Sequence, residues 1–302
     1  MNPVTKAYLE LHIAVFLFGF TAILGDLITL PALSLVWWRV LFTSFSLVFL
    51  IRVMRLFRKL PRAQILRFMG IGVLVALHWL AFYGAVKLAN ASIALVAMAT
   101  TSFFTAFIEP LIMRRRVIWY EIALGLLIIP GMVLVVNGME LSMLTGLGVG
   151  FLSAFLAALF ATFNKKFIGD HNAMEVTFLE LGSAWLFLSL VLPVYFLFAE
   201  EAIAIWPVGL DWLYLLVLSL LCTTLAYVLA LRALRHLSAF ASNLTINLEP
   251  VYGIVMAWII LKDHENLNQH FYWGVVIILL AVFSYPLLKK RVGKVEKLKG
   301  VA

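Results

Sequence analysis

Long apolar runs cut by short polar breaks make up nearly the whole chain. Ten of them fall at roughly 7–28, 32–52, 65–87, 91–113, 119–137, 145–166, 174–198, 211–233, 239–261 and 270–288. About 20 apolar residues rising ~1.5 Å each cross a hydrocarbon core of ~30 Å, so each run predicts a spanning helix. Barrel strands would be ~10 residues long and alternating, which these are not. The expected fold class is therefore an all-α polytopic membrane protein with ten transmembrane helices. One run departs from the pattern. Ser238 to Leu261, SAFASNLTINLEPVYGIVMAWIIL, carries Asn243, Thr245, Asn247 and the pair Glu249-Pro250 in its middle. A carboxylate near the bilayer centre costs a few kcal/mol or more. Pro250 removes a backbone donor and leaves the Ile246 carbonyl without its usual partner. A chain keeps such a segment only where protein or a wet cavity surrounds it.

Composition agrees. The 302 residues are 64% hydrophobic with a mean hydropathy of +1.06, which no soluble domain matches. The formal charge of +8 sits in short loops, so it is read as membrane orientation and not as a nucleic-acid surface. With the N-terminus cytoplasmic, Arg52 to Arg67, Arg114 to Arg116, Lys165, Lys166, Arg232, Arg235 and the tail lysines all fall inside. Only Lys87 and Lys262 fall outside. Both termini are thus expected in the cytoplasm of a bacterial-type inner (plasma) membrane. The first apolar run is full length and followed directly by another, so no cleavable signal peptide is expected. The single Cys222 excludes an intrachain disulfide and a cysteine metal cluster.

The chain also resembles itself. FLFGFTAIL (16–24) matches FLAALFATF (155–163), GAVKLANAS (84–92) lies over ALRALRHLS (230–238), and WYEIALG (119–125) corresponds to HFYWG (270–274). The chain divides into a first five-helix repeat at 1–140, a second at 141–288 and a basic tail at 289–302. An odd number of spans per half inserts the halves in opposite orientation. Inverted repeats of this kind place a substrate site near the midplane between them. The segments HWLAFYGAVKLANASIALVAMATTSFFTAFIEPLIMRRR (78–116) and ALRHLSAFASNLTINLEPVYGIVMAWIILKDH (233–264) resemble the matching regions of the two repeats of the EamA family, in the drug/metabolite transporter superfamily. The resemblance implies a ten-helix inner-membrane carrier working by alternating access, often an exporter of amino acids or other small metabolites. It fixes no substrate.

The polar residues inside the spans are the candidate site. Glu249, near the bilayer centre, reads as a proton-titrating or substrate-amine-binding carboxylate, or as an acid satisfied by its neighbours. Ser242, Thr245, Glu249 and Tyr252 share its helix face. Arg39 and Glu180 superpose at an offset of 141, so the repeat puts opposite charges in equivalent places. They read as a structural or gating pair, or with Arg39 as a fork for a substrate carboxylate. His78 is either a proton relay or a packed residue with one hydrogen bond. Trp37, Trp38, Trp79, Tyr83 and Tyr227 are candidates to line a pocket. Glu109 reads as an interfacial acid facing Arg114 to Arg116, with no symmetric tie to Glu249. Asn164, Lys165 and Lys166 read as an interfacial anchor. A cavity is expected between spans one, three, four, six, eight and nine. Its polar lining would include His78, Tyr83, Thr101, Ser102, Asn247 and Glu249, with Arg39 and Glu180 at the margins.

The loop cluster Asp263, His264, Glu265 and His270 lacks a metal-ligand spacing, and no phosphate-binding loop occurs. Neither cofactor nor metal is expected, and no enzyme activity. The expected partners are a small-molecule substrate and the lipid bilayer, with protons as the coupling ion or with uncoupled facilitation as the alternative. The alternatives are an intramembrane lipid-modifying enzyme and a non-transporting sensor or assembly subunit. Short loops and polar residues spread through the midplane count against the enzyme; a sensor or assembly subunit would have no open cavity between the halves.

Overall fold

The computed structural model describes residues 2–198, 204–246, 248–262 and 268–298, without the side chains of 136, 282–283, 285–287 and 289–298. All its regular elements are helical. The first half holds α1 (Pro3–Leu27), α2 (Ala32–Leu50), α3 (Val53–Lys59), α4 (Arg62–Leu88), α5 (Ala91–Met98), α6 (Thr101–Met113) and α7 (Trp119–Asn137). The second holds α8 (Leu144–Phe167), α9 (Ala173–Phe198), α10 (Asp211–Ser219), α11 (Ala226–Leu234), α12 (Ala239–Ile246), α13 (Glu249–Ile260) and α14 (Gln269–Leu298). Among the described residues, eight helical stretches are long and apolar enough to cross a membrane. The fifth and tenth expected spans coincide with two shorter apolar helices, Trp119–Val135 and Gln269–Ala281. Helix α14 also runs on to Leu298, through residues read from the sequence as tail.

Element ends follow local chemistry. Asn2 accepts from the Val4 N–H and Pro3 occupies the first turn, starting α1. Asn90 caps α5 by accepting from the Ile93 N–H at 2.8 Å. Arg114 closes α6 in the left-handed region, with φ 52°. The short α3 lies in the basic connection after α2, where only a loop was expected.

Two of the expected spans are each built from two helices. The run 239–261 stops at Ile246 and restarts at Glu249, with Pro250 in the first turn of α13, where its missing N–H costs nothing. The run 91–113 stops at Met98 and restarts at Thr101 without any proline nearby. Here the hydroxyls of Thr100 and Thr101 turn back on the carbonyls of Ala97 and Met98, each at 2.7 Å. Such bonds compete with the helix ladder. The two breaks are equivalent in the repeat.

Packing between the halves is reciprocal. Helix α1 lies against α11 and α13, and its repeat partner α8 lies against α4 and α6. Helix α2 packs on α9, and α7 packs on α14. The last pair meets through glycines. A Cβ on Gly274 would run into the Gly131 carbonyl and Val135, and one on Gly131 would lie 2.9 Å from the Gly274 carbonyl. Gly274→Val is therefore expected to lower stability by about 1–3 kcal/mol, the usual cost of overpacking, seen as a lowered thermal unfolding transition in detergent. Large apolar side chains such as Leu111, Leu190, Ile259 and Trp119 point outward, about three-quarters exposed, as a lipid-facing surface requires.

Candidate functional site

A cavity of about 100 Å³ lies between the halves. One water needs ~10–15 Å³ on this scale, so it admits several waters or a small solute. Its walls come from α1, α2, α4, α5, α6, α8, α11, α12 and α13. These include every span expected to line it, with α2 added through Arg39. Phe18, Trp79, Phe82 and Phe160 make an aromatic wall; Arg39, Glu249, His78, Thr101, Ser242 and Asn243 supply the polarity.

Arg39 is fully buried on α2. Its Nε donates to Thr223 Oγ1 at 2.7 Å and its Nη1 to the Tyr83 hydroxyl at 2.7 Å. The guanidinium carbon stands 3.9 Å above the Trp79 ring, a cation–π contact. Among the described residues, Nη2 carries no hydrogen bond, which leaves donors for a ligand. Thr223 owes its position to a π-helical turn at Leu220–Leu225 between α10 and α11. There the Thr223 and Thr224 hydroxyls reach back five residues, to the Leu218 and Ser219 carbonyls. Such turns recur at functional sites.

Glu249 opens α13 and faces the same cavity. No ion pair joins it to Arg39 among the described residues, so the two charges confront each other across the space. His78 is tied through Nδ1 to the Ser153 hydroxyl at 2.9 Å and the Ser153 carbonyl at 3.0 Å, and its ring lines the cavity. Thr101 and Tyr227 also line it. Tyr83 and Ser102 do not: Tyr83 stands behind Arg39 as its acceptor. Asn247 lies outside the described residues. Trp37 and Trp38 pack instead against Trp185, Trp206 and Trp212.

Arg39 and Glu180 form no ion pair among the described residues. Glu180 is fully buried; its Oε2 accepts from the Tyr227 hydroxyl at 2.5 Å and from Asn164 Nδ2 at 3.2 Å. Asn164 therefore is no interfacial anchor, although it ends an apolar span beside two lysines. Sequence spacing missed it, and it missed Asn243, whose amide donates to Thr105 Oγ1 at 2.8 Å and ties α12 to α6.

Two clasps join the halves, each an acid of one half holding backbone of the other. Glu109 of α6 accepts from the Ala239 and Phe240 N–H groups at the start of α12, at 3.2 and 2.8 Å. Arg115 bonds both Glu109 and Glu121, at 3.2 and 2.7 Å. Burial works to loosen the Arg115 proton, but the bonds to Glu121 and Glu109 outweigh it and hold that proton more tightly than in a free arginine. At the other end Asp211 accepts from the Thr29 N–H at 3.0 Å and the Thr29 hydroxyl at 2.6 Å. Lys87 donates to the Ile28 carbonyl beside it, at 2.6 Å.

Paired helical repeats around a buried polar cavity, with a broken helix in each half, define a membrane transporter of small solutes. Two stretches, 5–137 and 144–285, match the model of the EamA-like transporter family, and the chain belongs to that family. No curated protein matches it. A crystal structure of a protein 16% identical superposes with a TM-score of 0.68, over 95% of this chain and 99% of the other, and shares its fold.

Proposed function

We propose that the chain is a secondary carrier that exports a small amino-acid-like solute across the plasma membrane by alternating access. Ten spans form two inverted five-helix halves, and both termini lie in the cytoplasm. The observation that carries this reading is the cavity, which holds a free guanidinium edge and an unpaired carboxylate within one aromatic-walled space. A solute carboxylate would meet Arg39 through its fork, and a solute ammonium would meet Glu249. The aromatic wall would take an apolar side chain. Breaks in both fourth spans lie beside the cavity, as they do at ion and substrate sites of inverted-repeat carriers.

The clasps supply the gating. In this topology Glu109 with α12 closes the cytoplasmic end, and Asp211 with Thr29 closes the outer end. Asp211→Ala would free Thr29 and favour opening to the outside. In a Cys222→Ser background carrying Thr21→Cys, an impermeant maleimide added outside is expected to label the cavity cysteine faster when Asp211 is alanine. Equal labelling would remove Asp211 from the gate.

Uptake and counterflow in proteoliposomes, across a panel of labelled zwitterions, organic anions and organic cations, tests the function itself. Exchange of zwitterions is expected; an inert protein with every solute would remove the carrier reading.

A further inference from the structure

The repeat treats Arg39 and Glu180 alike and then separates them. Each is hydrogen-bonded by a tyrosine of the next span in its own half, Arg39 by Tyr83 and Glu180 by Tyr227. A tyrosine partner recurs, although Tyr227 lies two residues before the position that 84–92 over 230–238 gives Tyr83, and the charge is inverted. Arg39 faces the cavity, whereas Glu180 does not line it. Tyr227 and Asn164 do, and they stand between the cavity and Glu180.

No cation of the described residues answers the Glu180 carboxylate. Among the described residues, no Lys, Arg or His reaches within 4.0 Å of it. Helix α2 brings Arg39, committed to Tyr83, Thr223 and Trp79. Helix α4 brings His78, held by Ser153, and meets α9 here through Gly72. Helix α8 brings Asn164, followed by Lys165 and Lys166, which bond carbonyls of Leu234, Arg235 and Ile112. Helix α11 brings Tyr227, and Arg232 five residues on lies on another face of that helix. Both donors to Glu180 act on Oε2. Its Oε1 and the Oδ1 of Asn164 are buried without partners.

An ionised carboxylate so placed costs several kcal/mol, and neutral donors return only part of it. A single bound proton removes the charge. The amide oxygen then gains a partner, because an acid protonated on Oε2 donates and Asn164 turned by half a rotation accepts through Oδ1. We propose that Glu180 is a proton-binding site, loaded and emptied through Tyr227 and separate from the solute site at Arg39 and Glu249. This rests on the carrier reading for its use, but not for its chemistry. A hydronium in the cavity gives its proton to the Tyr227 oxygen while the Tyr227 proton passes to Glu180 Oε2. Water, a neutral phenol and a carboxylic acid result, and the reverse step empties the site.

Infrared difference spectroscopy of the intact protein in lipid nanodiscs, titrated with pH and without solute, tests this. The carboxylic-acid carbonyl absorption is expected to titrate in the wild type. One component should vanish in Glu180→Gln and persist in Glu249→Gln. In Tyr227→Phe that component should shift in frequency and respond more slowly to a pH jump. An unchanged titration in a Glu180→Gln protein that melts normally would overturn the proposal. If that variant does not fold, an unchanged spectrum and rate in Tyr227→Phe would overturn it equally. Because no solute is added, a silent transport panel beside a titrating Glu180 would remove the carrier reading alone. Transport of zwitterions beside an unchanged titration would remove the proton site alone.

Discussion

Glu249→Gln is expected to cut transport by about two to three orders of magnitude while leaving the thermal unfolding transition in place. Removing one member of a buried, ligand-facing charge pair costs about 2–5 kcal/mol, and each 1.4 kcal/mol is a factor of ten. Glutamine keeps the shape and the hydrogen-bonding capacity of the side chain, and among the described residues no ion pair is lost with the charge. The loss therefore falls on the solute. Arg39→Gln should lose as much transport but behave differently in a melt. It strands the Tyr83 hydroxyl, takes one of two bonds from the Thr223 hydroxyl and removes the cation above Trp79, so the transition should fall as well. Solute transport and thermal melting measured on both variants separate a ligand-binding charge from a structural one. Equal transport in Glu249→Gln and wild type would make Glu249 a packed residue.

Glu109→Ala is expected to be the most destabilising of the substitutions considered. The side chain is buried, holds Arg115 and accepts from two N–H groups at the start of α12. Breaking a buried pair by removing one partner costs about 3–5 kcal/mol, because the other charge is left behind. Glu121 still holds Arg115, which places the expected loss at the lower end of that range. The proton on Arg115 is held more tightly than in a free arginine. It contributes its stability below the unfolded arginine pKa and would lose it only above the raised folded value. The clasp should therefore be insensitive to pH wherever the carboxylates stay ionised. Thermal unfolding of Glu109→Ala against Glu109→Gln checks this. The amide keeps an acceptor for α12, so glutamine should restore part of the loss. Identical melts for alanine, glutamine and wild type would reduce Glu109 to a surface acid.

The sequence carried the helices because hydrophobic length and lysine and arginine placement act locally. It also carried the break at Glu249-Pro250, since proline marks it. The break at Met98 to Thr101 was not legible as such, because it depends on hydroxyls turning back on their own helix, and Thr-Thr-Ser occurs in unbroken helices too. The repeat offset placed Arg39 and Glu180 as equivalents, but it left open whether they meet. They do not, because each takes the tyrosine of its own half. Thr223 was invisible as an arginine partner, since the π-helical turn shifts the register that would place it. Asn164 was misread for a related reason. Its neighbours Lys165 and Lys166 mark an interface, while its own helix face turns inward toward Glu180.

The central claim is that one solute carries both charges that the cavity answers. Counterflow in proteoliposomes with leucine, leucine methyl ester and N-acetylleucine tests it most directly. The ester lacks the group for Arg39, and the acetylated form lacks the group for Glu249. Exchange of leucine with neither derivative is the predicted result. Exchange of either derivative as fast as leucine would contradict it.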